Sequence, residues 1–121
     1  MVKNFARAGM LGVVNSTCMM APSPHEPFDT YRDEWIIDPP YTLPHHEGSD
    51  VDLVMVSTNG SFSDYYLWWA KKMIEENSIG GLYFDMVSPV GSLNHLAGDG
   101  WTDENGQRHM TSNIFSLREL Y

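Results

Sequence analysis

The predicted fold is decided by six consecutive residues, Gly-Gly-Leu-Tyr-Phe-Asp, at positions 80–85. Their apolar run, Leu82 to Phe84, lies between glycines and a Ser88-Pro89 breaker, a pattern typical of a parallel strand covered on both faces. In α/β folds the loops that carry functional residues follow the carboxyl ends of such strands. We therefore expect Asp85 at a functional site, the alternative being a residue that caps a turn or a helix.

A strand, a helix and a long loop are predicted before this stretch. Residues 10–14, Met-Leu-Gly-Val-Val, predict a strand parallel to the one at Leu82. A helix is predicted after the capping candidates of residues 57–61, since apolar residues at helical spacing form one face: Tyr66, Trp69, Ala70, Met73 and Ile74. Together they predict a right-handed βαβ unit with a large insertion in its first connection. The insertion contains a proline-rich loop at residues 21–44 and, at residues 53–56, a short strand or a buried link.

Both ends of the chain have the pattern of interrupted helices. Residues 3–9 are typical of a last helical turn that closes on a glycine, and residues 117–121 of the middle of another helix. We therefore interpret residues 1–121 as a fragment of one larger α/β domain.

Composition excludes several classes of partner. The net charge is −9, which argues against nucleic acid and anionic membranes because both require a basic surface, whereas a neutral polar ligand is compatible with it. The single cysteine, Cys18, excludes an internal disulfide and favours a structural role. No apolar run approaches the ~20 residues of a membrane span, and the first seven residues lack the apolar core of a signal peptide.

Carboxylate chemistry on a sugar is the first functional hypothesis. Glycosidic cleavage uses two carboxyl groups about 5 to 9 Å apart, and Asp85 is the one whose position the pattern supports. Candidates for the second acid are Asp99, Asp103, Glu26 and Glu47. Aromatic residues that suit the apolar face of a pyranose, or that simply fill space under long loops, are Trp35, Trp101, Tyr31 and Tyr41.

Metal binding is a weaker hypothesis, and no cofactor is predicted. The chain lacks a His-Glu-x-x-His helix, and its imidazoles have no fixed ligand spacing, which favours surface histidines. They are His25, His45, His46, His95 and His109. No phosphate-binding glycine loop is predicted, because Gly80-Gly81 precedes a strand instead of opening a helix.

Four blocks of the sequence carry a family resemblance: residues 31–39, residues 64–70, residues 80–85, and residues 98–119 with their Gly-Asp-Gly-Trp-Thr-Asp-Glu-Asn-Gly-Gln-Arg run. Together they resemble bacterial proteins related to the glycoside hydrolase 123 catalytic domain. The resemblance implies an α/β fold, a partial (β/α)8 TIM barrel of which this chain is a central portion completed by flanking sequence. It also implies hydrolysis of an extracellular polysaccharide or glycan, and an extracellular or periplasmic location for the protein. One departure is that the family's adjacent Asp-Glu pair is replaced here by Asp85-Met86.

These observations predict a glycoside hydrolase that acts on a poly- or oligosaccharide without a metal or other cofactor. Asp85 is the predicted catalytic carboxylate. Predicted substrate-binding residues are Tyr83, His95, Asp99, Trp101 and Trp35. The alternatives are a catalytically inactive carbohydrate-binding barrel and a metal-dependent hydrolase that uses the loop histidines.

Overall fold

The computed structural model describes residues 9–44, 50–77 and 79–120. Within them the strands are β1 (Val13–Ser16), β2 (Met20–Ser23), β3 (Thr42–Leu43), β4 (Asp52–Met55), β5 (Gly81–Phe84), β6 (Gly91–Ser92), β7 (Trp101–Thr102), β8 (Arg108–His109) and β9 (Thr111–Ser112). The α-helices are α1 (Phe28–Trp35), α2 (Ser61–Asn77) and α3 (Ile114–Leu120), and His95–Ala97 forms a 3-10 helix. No helix in these three ranges is both long and apolar enough to cross a membrane.

Strands β1 and β5 pair in parallel, as the sequence predicts. Val13 lies opposite Gly81, and Ser16 lies opposite Phe84. Helix α2 connects into β5 and covers one face of the pair, where the Tyr66 ring lies 6.1 Å from the Phe84 ring. The predicted helix and parallel pairing are therefore confirmed, whereas the first strand was predicted at residues 10–14 and begins only at Val13.

Only one face of this parallel pair is covered in the described part of the chain, so the expectation of a strand buried on both faces is wrong. Because side chains alternate along a strand, Leu82 and Phe84 pack against the core. On the other face, Val13 and Tyr83 are each 59% exposed. Residues 82–84 are all apolar although only one face is covered, because the outward-facing position is occupied by an aromatic residue, Tyr83.

The insertion between β1 and α2 forms a three-stranded antiparallel sheet in the order β2-β4-β3. The predicted strand at residues 53–56 is confirmed as β4, but the prediction of a long loop at residues 21–44 is wrong. Helix α1 forms there because Phe28 and Trp35, seven residues apart on one side of it, are both buried in the core. Trp35 is the centre of the aromatic core, with ring centroids of Tyr31, Phe62 and Tyr65 at 5.1 to 5.2 Å.

The fold class implied by the resemblance, an α/β partial (β/α)8 TIM barrel, is wrong. A barrel requires successive parallel strands, each followed by a helix. In the described ranges the parallel pairing is confined to β1 and β5, and the other sheets are small and antiparallel: β2-β4-β3, β6-β9 and β7-β8. After β5 the chain forms two-residue strands separated by glycine and turn residues, which pair with each other and not with β5. The chain is a small mixed domain with three helices in its described part.

Some predictions concern residues outside the described ranges. They are the helical turn before Gly9, the histidines His45 and His46, the acid Glu47, and the last residue, Tyr121.

Helix α2 begins at a carboxylate supplied by helix α1. Glu34 Oε1 accepts hydrogen bonds from the Ser61 backbone N–H at 3.0 Å and from the Ser61 hydroxyl at 2.7 Å. The hydroxyl in turn accepts from Trp35 Nε1 at 2.8 Å. The Ser61 hydroxyl and N–H lower the pKa of Glu34. A negative charge at this position also complements the dipole of α2.

We expect Glu34→Ala to lower the free energy of unfolding by about 1 kcal/mol, the usual effect of removing a helix cap. Since the folded state lowers the pKa of Glu34, its contribution is present above the ordinary glutamate pKa and is lost as pH falls through the lowered value. Urea unfolding at pH 7 and at pH 3 measures both effects. Asp33→Ala, an exposed neighbour on the same helix, is the control, and equal losses for the two variants would contradict the capping role.

Candidate functional site

The uncovered face of the parallel pair presents three polar or aromatic side chains, Asn15, Tyr83 and Asp85, which we call the open face. Tyr83 lies directly opposite Asn15 in the register, and Asp85 follows two residues after Tyr83 on the same side. All three are exposed. Two predicted site residues, Tyr83 and Asp85, are thus brought together by strand alternation.

Asp85 is held at the end of the strand by hydrogen bonds to β1 and to the residue that follows it. Its N–H donates to the Ser16 carbonyl at 2.8 Å, which extends the parallel ladder by one residue. Its Oδ1 accepts from the Met86 N–H at 2.8 Å, and its Oδ2 lies 3.4 Å from Asn15 Nδ2. Asp85 therefore also has the turn-capping role that was the alternative prediction. Its carboxylate nevertheless remains exposed and accessible to a ligand.

The residue after Asp85 has an unusual backbone conformation. Met86 has φ of 57°, the left-handed region that non-glycine residues seldom occupy. Such conformations cost free energy and occur disproportionately at functional sites. The chain bends at Met86, directly after the carboxylate.

Two cavities are lined by residues near the ends of β1 and β5. One, of about 270 Å³, is lined by aromatic residues of α2, among them Tyr65, Tyr66 and Trp69, and by Ser16 and Thr17 at the end of β1. The Ser16 and Tyr66 hydroxyls share a hydrogen bond of 2.8 Å at its edge.

The other cavity, of about 600 Å³, begins at Met86 and Val87 and extends between the β2-β4-β3 sheet and the segment that follows β5. We call it the methionine groove, because Met20, Met55, Met86 and Met110 line it. Tyr41, one of the predicted stacking residues, is half exposed and also lines this groove.

Asp99 is buried and lies in a different polar cluster from Asp85. It is 5% exposed; its Oδ1 accepts from Asn59 Nδ2 at 2.6 Å, and its N–H donates to the Asn94 carbonyl at 2.8 Å. Its second oxygen, Oδ2, is buried without a hydrogen-bond partner. These contacts join the loop after the 3-10 helix to the turn before α2. His95, the first residue of the 3-10 helix, is exposed.

Trp101 lies on the β7-β8 hairpin. Its ring stacks on His109 with centroids 4.5 Å apart and planes inclined by 22°. His109 Nε2 lies 3.0 Å from Asp103 Oδ2. The hydrogen bond from His109 lowers the pKa of Asp103, and the N–H groups of Gln107 and Asn105 act in the same direction. Trp101 therefore keeps one ring face for a ligand, while the other is covered.

Trp35 is 3% exposed, and its ring is packed among core aromatics. In this arrangement its faces contact protein side chains and are not available to a sugar.

The three candidates for a second acid that lie in the described ranges form hydrogen bonds with other residues than Asp85. Asp99 bonds to Asn59, Asp103 to His109, and Glu26 accepts from the Thr30 hydroxyl at 2.6 Å. None of these partners bonds to Asp85, whose own partners are Asn15, Ser16 and Met86.

Metal and thiol chemistry find little support in the described part of the chain. No group of three His, Cys, Asp or Glu side chains there could hold a metal ion. Burial raises the pKa of the Cys18 thiol, which reduces its nucleophilic thiolate form at neutral pH. A packing role for Cys18 agrees with its place in the core.

Asn15 is a residue of the candidate site that was not predicted from the sequence. It follows the apolar run of the predicted first strand, and its polarity there was a signal of an exposed position. Its nearness to Asp85, however, depends on the register between two strands whose paired residues are 68 positions apart in the chain.

Comparisons with protein-family models, with curated proteins and with solved structures return no match for this chain.

We expect His109→Ala to raise the pKa of Asp103 toward the ordinary aspartate range, because His109 is the largest cause of its lowering. In the unsubstituted protein, the stability contributed by Asp103 is present above the ordinary aspartate pKa and is lost as pH falls through the lowered value. Carbon-detected NMR titration of the Asp103 carboxyl measures the shift. Met110→Ala, a neighbouring exposed substitution, is the control. A titration midpoint unchanged by His109→Ala would show that the hydrogen bond has no electrostatic effect.

Proposed function

We propose that this protein hydrolyses O-glycosyl bonds and that Asp85 is the carboxylate that acts on the bound sugar. The observation that carries the proposal is the open face, where an exposed aromatic ring, a carboxylate and a carboxamide lie side by side at a strand end. The sequence resemblance to glycoside hydrolase 123 relatives supports the same reaction class.

The open face has the chemistry that sugar recognition needs. One face of a pyranose is apolar, and the Tyr83 ring, with more than half its surface exposed, offers a flat partner for it. Hydroxyl groups of the sugar can donate to the Asp85 carboxylate and accept from the Asn15 amide. Hydrogen bonds to an ionised carboxylate are about twice as strong as those between neutral groups. A neutral polar ligand also suits a chain whose net charge is −9.

Asp85 can replace its hydrogen bond from Asn15 with a hydrogen bond to a substrate. Its bond from the Met86 N–H is short and local, whereas the Asn15 amide lies at the long distance of 3.4 Å. A sugar hydroxyl can therefore donate to a lone pair of Oδ2 while the Met86 N–H keeps the carboxylate oriented. When Asp85 is protonated, its O–H can instead donate to the glycosidic oxygen. In this position Asp85 acts as a nucleophile or as a general acid or base.

The second acid cannot come from the residue after Asp85, because Met86 occupies that position. This separates the proposed reaction from the paired Asp-Glu mechanism of the resembled family. The partner group is then a carboxyl from elsewhere in the protein or a group of the substrate itself.

A second candidate function is carbohydrate binding without cleavage. It is favoured by the engagement of Asp99, Asp103 and Glu26 in hydrogen bonds to other residues. On this alternative the open face binds the sugar, and Asp85 only accepts hydrogen bonds.

We expect Asp85→Asn to lower the turnover of a cleaved glycoside at least a hundredfold, since a positioned acid or base contributes about 10² to 10⁴. Tyr83→Ala should weaken sugar binding about tenfold through the loss of stacking. Release of 4-nitrophenol from a panel of 4-nitrophenyl hexosides and N-acetylhexosaminides measures turnover, and saturation-transfer NMR measures binding.

The matched controls are Glu75→Gln, which removes an exposed carboxylate on α2, and Phe115→Ala, which removes an exposed ring on α3. Both should leave turnover and binding unchanged. Binding without product release, lost in Tyr83→Ala, would select the binding function. Turnover that survives Asp85→Asn would refute the catalytic role.

A further inference from the structure

We propose that the methionine groove binds the uncharged apolar aglycone of a glycoside whose sugar lies on the open face. This inference rests on the proposed function and specifies its substrate class: a sugar joined to an alkyl or aryl group, rather than a sugar in the middle of a polar glycan.

The composition of the groove determines what can occupy it. Its volume of about 600 Å³ lies within the range of small-molecule sites, about 300 to 1,000 Å³. The lining side chains carry no charge; besides the methionines they include Ile37, Leu43 and Val90. Burying a charged group there without a partner would cost several kcal/mol. The occupant is therefore apolar and uncharged.

The four methionines divide into a fixed floor and an exposed rim. Met20 and Met55 are buried in the β2-β4 pair, where they lie opposite one another in the register. Met86 and Met110 are each about half exposed. Methionine is unbranched and polarizable and adapts to ligands of different shape, including aromatic rings. The groove thus has a rigid base and side chains that can close over a ligand.

The groove begins at residues that directly follow the candidate catalytic carboxylate. Met86 and Val87 line it and follow Asp85 in the chain, and consecutive Cα atoms are about 3.8 Å apart. The proposal therefore places the leaving group of a glycosidic bond held at Asp85 at this end of the groove.

Binding of the uncharged fluorescent probe N-phenyl-1-naphthylamine tests the groove. We expect Met110→Glu, which places a charge at the rim, to weaken probe binding at least tenfold. Met10→Glu is the matched control, because Met10 is 52% exposed and Met110 49%, and Met10 does not line the groove. Near-ultraviolet circular dichroism verifies folding, and Val87→Glu at the same rim provides a second variant. Equal probe binding by the unsubstituted protein and both rim variants would overturn the proposal.

A series of n-alkyl β-D-glucopyranosides and 4-nitrophenyl glycosides, used below their micelle concentrations to displace the probe, tests the aglycone. Each added methylene should strengthen binding about threefold to fourfold in the unsubstituted protein and much less in Met110→Glu. Chain-length dependence without any cleavage would support the groove and refute hydrolysis. Displacement that is independent of chain length would overturn the aglycone assignment, even if glycosides were cleaved.

Discussion

The parallel pairing of β1 with β5 is the constraint on which the candidate site depends. Four registered pairs, from Val13 with Gly81 to Ser16 with Phe84, are continued by hydrogen bonds between Gly80 and Gly12 and between Asp85 and Ser16. Helix α2 covers one face of this pair, and alternation then directs every second side chain to the other face. Asn15, Tyr83 and Asp85 are neighbours because of this register, and a shift by one residue would turn them toward the core.

The segments without long strands are held by buried polar side chains instead. Asn94 Nδ2 donates to the carbonyls of Asp33, Glu34 and Ile36 at 2.6 to 3.0 Å, which satisfies groups at the end of α1. Asn113 Oδ1 accepts from the Val90 N–H at 2.8 Å. Because unpaired buried polar groups are costly, these amides order the loops after β5. The same segments line the methionine groove, so its shape depends on them.

Local sequence patterns were sufficient to predict those elements whose structure depends mainly on their own residues. The strand at residues 81–84 and the helix of residues 61–77 agree with the predictions made from the sequence. The prediction failed at α1, where the helix depends on burying Phe28 and Trp35 against distant residues. It also failed for the barrel, since four short similar blocks carry no information on how strands pair. Trp35, which was predicted to stack on a sugar, is instead the centre of the aromatic core.

The sequence by itself determined that an acid ends a short apolar strand after an amphipathic helix, because hydrophobic periodicity and glycine breakers act over a few neighbouring residues. Only the tertiary structure decided that Asn15 joins Asp85, that Tyr83 is exposed, and that methionines from distant segments enclose one groove. The physical reason is that these contacts depend on strand register and on which faces are covered. Both are set by the packing of residues far apart in the chain, which local propensity does not encode.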